Sequence, residues 1–227
     1  MNKEIKFKLP KNKITDPEND YFTNKASIGW HKEKRQIVID LIKNKNNVID
    51  VGAHVGITCV HWLISGFKKI YAFEINPFHF ECLIENTKEY SNQIEYFPYG
   101  CSNINKKTIG GYWRKKNSGT FQILDEITLK NFNPNETFEI EVKKIDEHDF
   151  NSVSLIKIDV EGWEFEVIEG AVNTIKKHKP VLFVEYGHGN NKKTFHKYED
   201  KDFKKLISDL NYQELNQVGD TIFVPKD

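Results

Sequence analysis

The sequence predicts an α/β fold: a mostly parallel β-sheet with helices on both faces, closed by a C-terminal antiparallel hairpin. Three observations carry this. Short apolar runs alternate with helix-period stripes, first from about residue 48 to 97 and again from about 153 to 210. The first run passes through a glycine turn straight into a helix, Val48-Ile-Asp-Val-Gly-Ala-His-Val-Gly56. The chain then ends in two strand-like runs, Tyr212 to Leu215 and Thr221 to Val224, with Gly219-Asp220 between them. At 227 residues, 38% of them hydrophobic, the chain suits one domain with a small appendage. Such a chain buries about 70% of the surface exposed when unfolded, so its core needs neither disulfide nor metal.

Each element has its own warrant. Residues 1 to about 28 are Lys- and Asn-rich, carry Pro10 and Pro17, and read as an irregular arm. Trp30, Ile37, Val38, Leu41 and Ile42 share one helical face. Residues 1–46 are thus expected to form an accessory arm and helix, lidding a pocket or padding the sheet, with the main domain at 47–227. Ile57, Val60, His61, Ile64 and Phe67 mark the helix after the glycine turn, and Gly66 is its expected stop. Ile70 to Phe73 is the second strand, ending at Glu74; Asn76 and Pro77 then make an N-cap and first turn. Ile94 to Phe97 is the third strand. Strands joined by helices of this length imply right-handed βαβ units. From about 99 to 147 the pattern becomes strand-rich: Phe138, Ile140 and Val142 alternate with charges, and Gly110-Gly111 and Ser118-Gly119 punctuate strands near Tyr112 to Arg114 and Phe121 to Leu124. This insertion is expected to extend the sheet or form a flap. Val153 to Ile158 reads as an apolar strand ending at Asp159, followed by one helical stripe from Trp163 to Ile175. Val181 to Val184 ends at Glu185, and Phe203, Leu206, Ile207 and Leu210 form the last helix.

Composition excludes several classes. Lys+Arg and Asp+Glu are 33 each, so the formal net charge is zero, unlike a general nucleic-acid binder. Arginine occurs only at Arg35 and Arg114, which weakens bidentate phosphate reading. Cys59, Cys82 and Cys101 lie far apart without a C-x-x-C pair, which points to a reducing compartment rather than a zinc or redox motif. Neither a signal peptide nor a membrane-spanning run is visible, so the expected location is the cytoplasm.

Three constellations carry chemistry. In the first, Gly52 and Gly56 bound a turn at a helix N-terminus, suited to a small anionic or polar group. The spacing is G-x-x-x-G; the dinucleotide fingerprint needs a glycine where His54 stands. In the second, Glu74 ends the next strand, where an acid accepts hydrogen bonds from ribose hydroxyls. A turn without ligand and a solvated glutamate are the bland alternatives, but the pair together describes ribose plus a short anionic tail, as in S-adenosylmethionine. In the third, Leu155-Ile-Lys-Ile-Asp-Val-Glu-Gly-Trp-Glu164 places Asp159 and Glu161 at a strand end, over the crevice or as helix caps. Glu185, with His188 three residues on, repeats the pattern.

These residues resemble the FkbM family of class I S-adenosylmethionine-dependent methyltransferases. V-I-D-V-G-A-H-V-G, A-F-E-I-N-P, L-I-K-I-D-V-E-G-W-E with V-I-E-G-A, and K-P-V-L-F-V-E match in order over about residues 47 to 186. The resemblance implies a Rossmann-like sheet of seven strands. It implies that Asp50, Gly52, Ala53 and Gly56 hold the methionine portion, that Thr58 supports the cofactor carboxylate, and that Glu74 holds the ribose. Ser102 would border the adenine, and Asp159 and Glu161 would stand at the active-site mouth. His54 departs from the family's usual asparagine but can still donate a hydrogen bond. The implied reaction is O-methylation of a small-molecule, sugar or glycan hydroxyl, yielding S-adenosylhomocysteine. Because a sulfonium methyl is already activated, the protein needs to align the acceptor and take its proton. Asp159 is the first candidate base and His188 the second, with Glu185 beside them. No metal is required by this reading, although Asp159 and Glu185 could instead hold a divalent cation. The weighed rivals are an NAD-dependent oxidoreductase, a ribose 2′-O nucleic-acid methyltransferase and a non-catalytic methyltransferase-like binding protein.

Overall fold

In the computed structural model, which describes residues 32–112, 117–125, 137–186, 198–216 and 220–226, the first element is helix α1 (Lys32–Leu41). Val38 and Arg35 are buried on it, and Ile42 just beyond its end, whereas Ile37 and Leu41 are each 40% exposed. The expected face is thus corrected. The contact stripe is narrow and centred on Val38, so apolar residues one position earlier fall on its shoulder. Trp30 and the arm lie outside the described residues.

Strand β1 (Asn47–Val51) leads into α2 (Ile57–Ile64), and β2 (Lys69–Phe73) into α3 (Pro77–Thr87). Asn76 caps α3 as expected: its side chain accepts from the backbone N–H groups of Phe78 and His79. After β3 (Ile94–Phe97) come four strands of the insertion: β4 (Gly100–Cys101), β5 (Lys106–Tyr112), β6 (Phe121–Leu124) and β7 (Thr137–Lys143). The alternation resumes with β8 (Val153–Ile158), α4 (Glu164–Glu169), α5 (Val172–His178) and β9 (Val181–Val184), then α6 (Asp200–Asp209), β10 (Tyr212–Asn216) and β11 (Thr221–Pro225).

Seven strands form one sheet in the order β10-β11-β9-β8-β1-β2-β3. From β3 to β9 every neighbour is parallel, and β11 enters antiparallel between β9 and β10. The fold class and the terminal hairpin read from the sequence are those observed. Alternate residues of each strand feed two cores, as buried parallel strands require. Val48, Ile70 and Leu155 pack with Val38 of α1, Trp62 of α2 and Leu83 of α3 on one face. Ile49, Ile156 and Ile158 pack with Val167 of α4, Ile175 of α5 and Phe203 of α6 on the other. The chain leaves β1 toward β2 on one side and returns through β8 on the other, so the C-terminal ends of β1 and β8 flank a topological switch point.

Among the described residues, the insertion does not extend this sheet. It forms a second sheet, β4-β7-β5-β6, whose Tyr112, Phe121, Ile123, Ile140 and Val142 join the core around Phe73. Gly110 and Gly111 are not the boundary that the sequence suggested; both lie inside β5. A Cβ on Gly110 would sit 2.5 Å from the Phe121 ring, so the missing side chain makes room for that ring. Trp113 and Arg114 lie outside the described residues.

The stripe from Trp163 to Ile175 is two helices rather than one, because Gly170 ends α4. Its φ of −77° is open to any residue, but a Cβ there would lie 1.9 Å from the Ser102 carbonyl oxygen. Gly170→Ala therefore tests packing against propensity. Alanine gains up to about 1 kcal/mol within a helix, whereas overpacking costs about 1–3 kcal/mol and should prevail. A lower urea midpoint at unchanged slope is the expected result.

Candidate active site

The ends of β1, β2, β8 and β9 and the insertion surround a cleft. The turn after β1 is built by two constraints. Gly52 has a φ of +76°, and a Cβ on it would lie 1.8 Å from the Asp159 carbonyl oxygen. Glycine is demanded here by the end of β8 as well as by the turn. The N–H groups of Gly52 and Ala53 both donate to the Phe73 carbonyl, which ties the turn to β2. His54 follows with a φ of +51°, a costly conformation for a side-chain-bearing residue.

Asp50 lies beneath this turn, fully buried. Its Oδ2 accepts from the Thr58 hydroxyl at 2.6 Å, and its Oδ1 stands 3.2 Å from Lys157 Nζ. Lys157 also donates to the Gly52 carbonyl at 2.6 Å and approaches Asp159 Oδ2 at 3.6 Å. Burial alone would lower the Lys157 pKa, but Asp50 and Asp159 outweigh it and the ammonium is held charged. Strand β8, read from sequence as apolar, therefore carries one buried cation aimed under the glycine turn.

Glu74 ends β2 and is 5% exposed. One of its carboxylate oxygens accepts from the His54 N–H at 2.7 Å and the other from the Asn76 N–H at 2.8 Å. A carboxylate offers about four acceptor positions, so these bonds orient Glu74 without saturating it. His54 directs its ring at the backbone of Ser118, in the insertion, and packs edge-on against His79 at 4.3 Å between ring centroids. Burial above all pushes the His54 pKa well below its usual value.

The opposite rim is acidic. Carboxylate oxygens of Asp159, Glu161 and Glu185 lie within 4.8 Å of one another. Glu161 has a φ of +55° and precedes Gly162 at +105°. Behind them Glu164 accepts from the Gly162 N–H at 3.0 Å; burial raises its pKa to about 7. Glu185 is pushed well above the usual carboxylate range by burial, by the charges of Asp159 and Glu161, and by a hydrogen bond to Asp159.

Of the residues singled out from sequence, Gly52, Ala53, His54, Thr58, Glu74, Asp159, Glu161 and Glu185 line this one cleft. Asp50 and Gly56 stand behind it; a Cβ on Gly56 would meet Thr87 at 2.7 Å. Ser102 is also behind the wall, where its Oγ accepts from Trp163 Nε1 at 3.1 Å, and Trp163 faces the cleft. His188 lies outside the described residues. Sequence reasoning gave no role to His79, Trp163 or Lys157. The signal for Lys157 was present: a lysine inside an otherwise apolar strand has to find a buried partner.

Strand order, terminal hairpin and a cleft at the switch point define the class I methyltransferase fold. The chain belongs to the FkbM methyltransferase family, whose domain matches residues 50–214. It is 29% identical over 164 residues to hexuronic acid methyltransferase AglP of Haloferax volcanii, covering 70% of this chain and 60% of that protein. The chain thus spans about 60% of the length of this curated relative. Its fold is similar to that of methyltransferase FkbM from Methylobacillus flagellatus KT, with a TM-score of 0.54 and 17% identity over 92% of this chain and 48% of that one. Among the described residues, no helix is long and apolar enough to cross a membrane.

Two predictions follow from the charges. Lys157→Met leaves Asp50 buried beside an apolar group and should cost about 3–5 kcal/mol in urea unfolding, with much of the loss restored in the Asp50→Asn/Lys157→Met double variant. Glu185 binds its proton more tightly folded than unfolded, so its ionisation removes stability as pH rises above the ordinary carboxylate range. Glu185→Gln should therefore raise the thermal midpoint at pH 7 and leave it near wild type at pH 4.

Proposed function

We propose that this protein transfers a methyl group from S-adenosylmethionine to a hydroxyl of a sugar-like acceptor. The observation that carries the reading is the convergence of the glycine turn, Glu74 and the Asp159–Glu185 rim on one cleft. The cofactor fits the groups present. Glu74 takes one backbone N–H on each oxygen and keeps acceptor capacity on both, which matches a pair of adjacent ribose hydroxyls. Gly52, Ala53, His54 and Thr58 would hold the amino-acid end beside the start of α2. When bound, S-adenosylmethionine supplies a methyl group already activated by its sulfonium.

The remaining work falls to the chain. The insertion, with Phe121 and Ile123 on the cleft, covers the site and limits water, and this raises the value of positioning. The acceptor hydroxyl has to lose a proton. Asp159, the expected base, stands 3.6 Å from the Lys157 ammonium and hydrogen-bonds Glu185. Glu185, its pKa raised by burial, shares a hydrogen bond with Asp159, so the two carboxyls act together as the proton-accepting rim. A general base of this kind contributes about 10²–10⁴-fold. The acidic rim accepts hydrogen bonds from neighbouring hydroxyls, which suits a polyol. The relative that methylates a hexuronic acid supports a carbohydrate acceptor.

The test is calorimetric titration with S-adenosylmethionine, S-adenosylhomocysteine and NAD⁺, followed by methyl transfer to hexuronate-containing and neutral saccharides. Wild type should bind the first two ligands and not NAD⁺, and Glu74→Ala should lose at least about tenfold in affinity through its missing charged acceptor. Asp159→Asn should bind cofactor normally and lose about 10²-fold or more in turnover. Binding of NAD⁺ alone would overturn the reading.

A further inference from the structure

The cleft holds a histidine that neither the sequence motifs nor the reading above has used. His79 is on the first turn of α3, is 2% exposed and lines the cleft beside Glu74. Its two ring nitrogens face different partners. Nε2 is 3.2 Å from the Tyr112 hydroxyl, and Nδ1 is 3.5 Å from Glu74 Oε1.

Bonds further out bear on which nitrogen carries the proton. Asn76 caps α3 with its Oδ1, accepting from Phe78 N at 2.9 Å and His79 N at 3.3 Å. Those two bonds fix the orientation of the amide, so Nδ2 is the atom that meets Tyr112 Oη, at 2.7 Å. The phenol oxygen is therefore an acceptor toward Asn76, an arrangement in which its hydrogen can be given to His79 Nε2. A neutral His79 that accepts at Nε2 carries its proton on Nδ1. At 3.5 Å this N–H is too distant for a strong bond to Glu74. It stays a donor on the cleft wall beside a carboxylate that has acceptor capacity left.

From this arrangement we propose that His79 is a cofactor-binding residue, its Nδ1–H donating to the oxygen of the ribose hydroxyl whose hydrogen Glu74 accepts. Donor and acceptor together recognise a hydroxyl, which satisfies both, better than either group could alone. Asn76 and Tyr112 are positioning residues that set the tautomer. Tyr112 is the last residue of β5, so the insertion sheet has to be seated on α3 for the ribose site to be complete. The inference rests on Glu74 being the ribose ligand.

The experiment combines ¹⁵N-detected histidine NMR of the ligand-free protein with titrations of S-adenosylhomocysteine and its 2′-deoxy and 3′-deoxy analogues. Wild type should show His79 protonated at Nδ1, and Tyr112→Phe should move it toward the Nε2–H form. His79→Phe, which keeps a ring in place, should bind S-adenosylhomocysteine about 3- to 10-fold more weakly, the range of one neutral hydrogen bond. It should also lose part of the wild-type discrimination against one deoxy analogue. His79 protonated at Nε2 in wild type, or unchanged affinity and discrimination in His79→Phe, would overturn the inference alone. Failure of the wild type to bind S-adenosylhomocysteine would remove the cofactor reading and the inference with it.

Discussion

The buried contact of Lys157 with Asp50 is the constraint on which the site depends. It joins the two central strands just where they end, and it lies under the turn that the cofactor reading needs. Desolvation makes such a pair costly to assemble, and the lysine must meet further acceptors to be tolerated. It does so on the carbonyl of Gly52 and near Asp159. One ammonium therefore fixes the height of the glycine turn and the position of the acidic rim together. The Thr58 hydroxyl, on the other oxygen of Asp50, brings α2 into the same network.

Glycine acts here mainly through the space it leaves. Gly52 admits the end of β8, Gly110 admits an aromatic ring within the insertion, and Gly170 admits the chain that enters it. Two of the three contacts are with backbone carbonyls, which cannot turn aside as a side chain could. Close approach of backbone segments is what lets a short loop, a strand end and an added sheet share one cleft.

Electrostatically the cleft is divided. The glycine-turn side has backbone N–H groups, a charged lysine below, and a buried histidine kept neutral. The far rim crowds Asp159, Glu161 and Glu185, so that one carboxyl retains its proton where an isolated one would not. A carboxyl rim that holds a proton thus faces a donor-rich floor across the cleft. Left-handed backbone at His54 and Glu161 marks both edges of the same cleft.

Much of this was legible in the chain. Strand and helix order followed from periodicity, and the acids at strand ends followed from their places after apolar runs. These signals are local: a strand buried on both faces has to be apolar, and a cap has to precede its helix. Three things were not legible. The insertion was visibly strand-rich, but whether it extended the sheet depended on which strands it paired with, and its described strands pair with one another rather than with β3. The helix expected from Trp163 to Ile175 was split at Gly170, whose carbonyl accepts from the N–H of Asp146, remote in sequence, while the Asp146 carboxylate accepts from the N–H groups of Asn173 and Thr174 in the next helix. Nor was the meeting of His79 Nε2 with the Tyr112 hydroxyl of the insertion sheet, at 3.2 Å, legible. The sequence by itself determined the alternation of strands and helices in the parallel sheet and the acidic and glycine landmarks, since these depend on neighbours along the chain. Tertiary structure decided which polar atoms meet, because a hydrogen bond needs two groups within about 3 Å, and periodicity carries no information on that scale between distant segments.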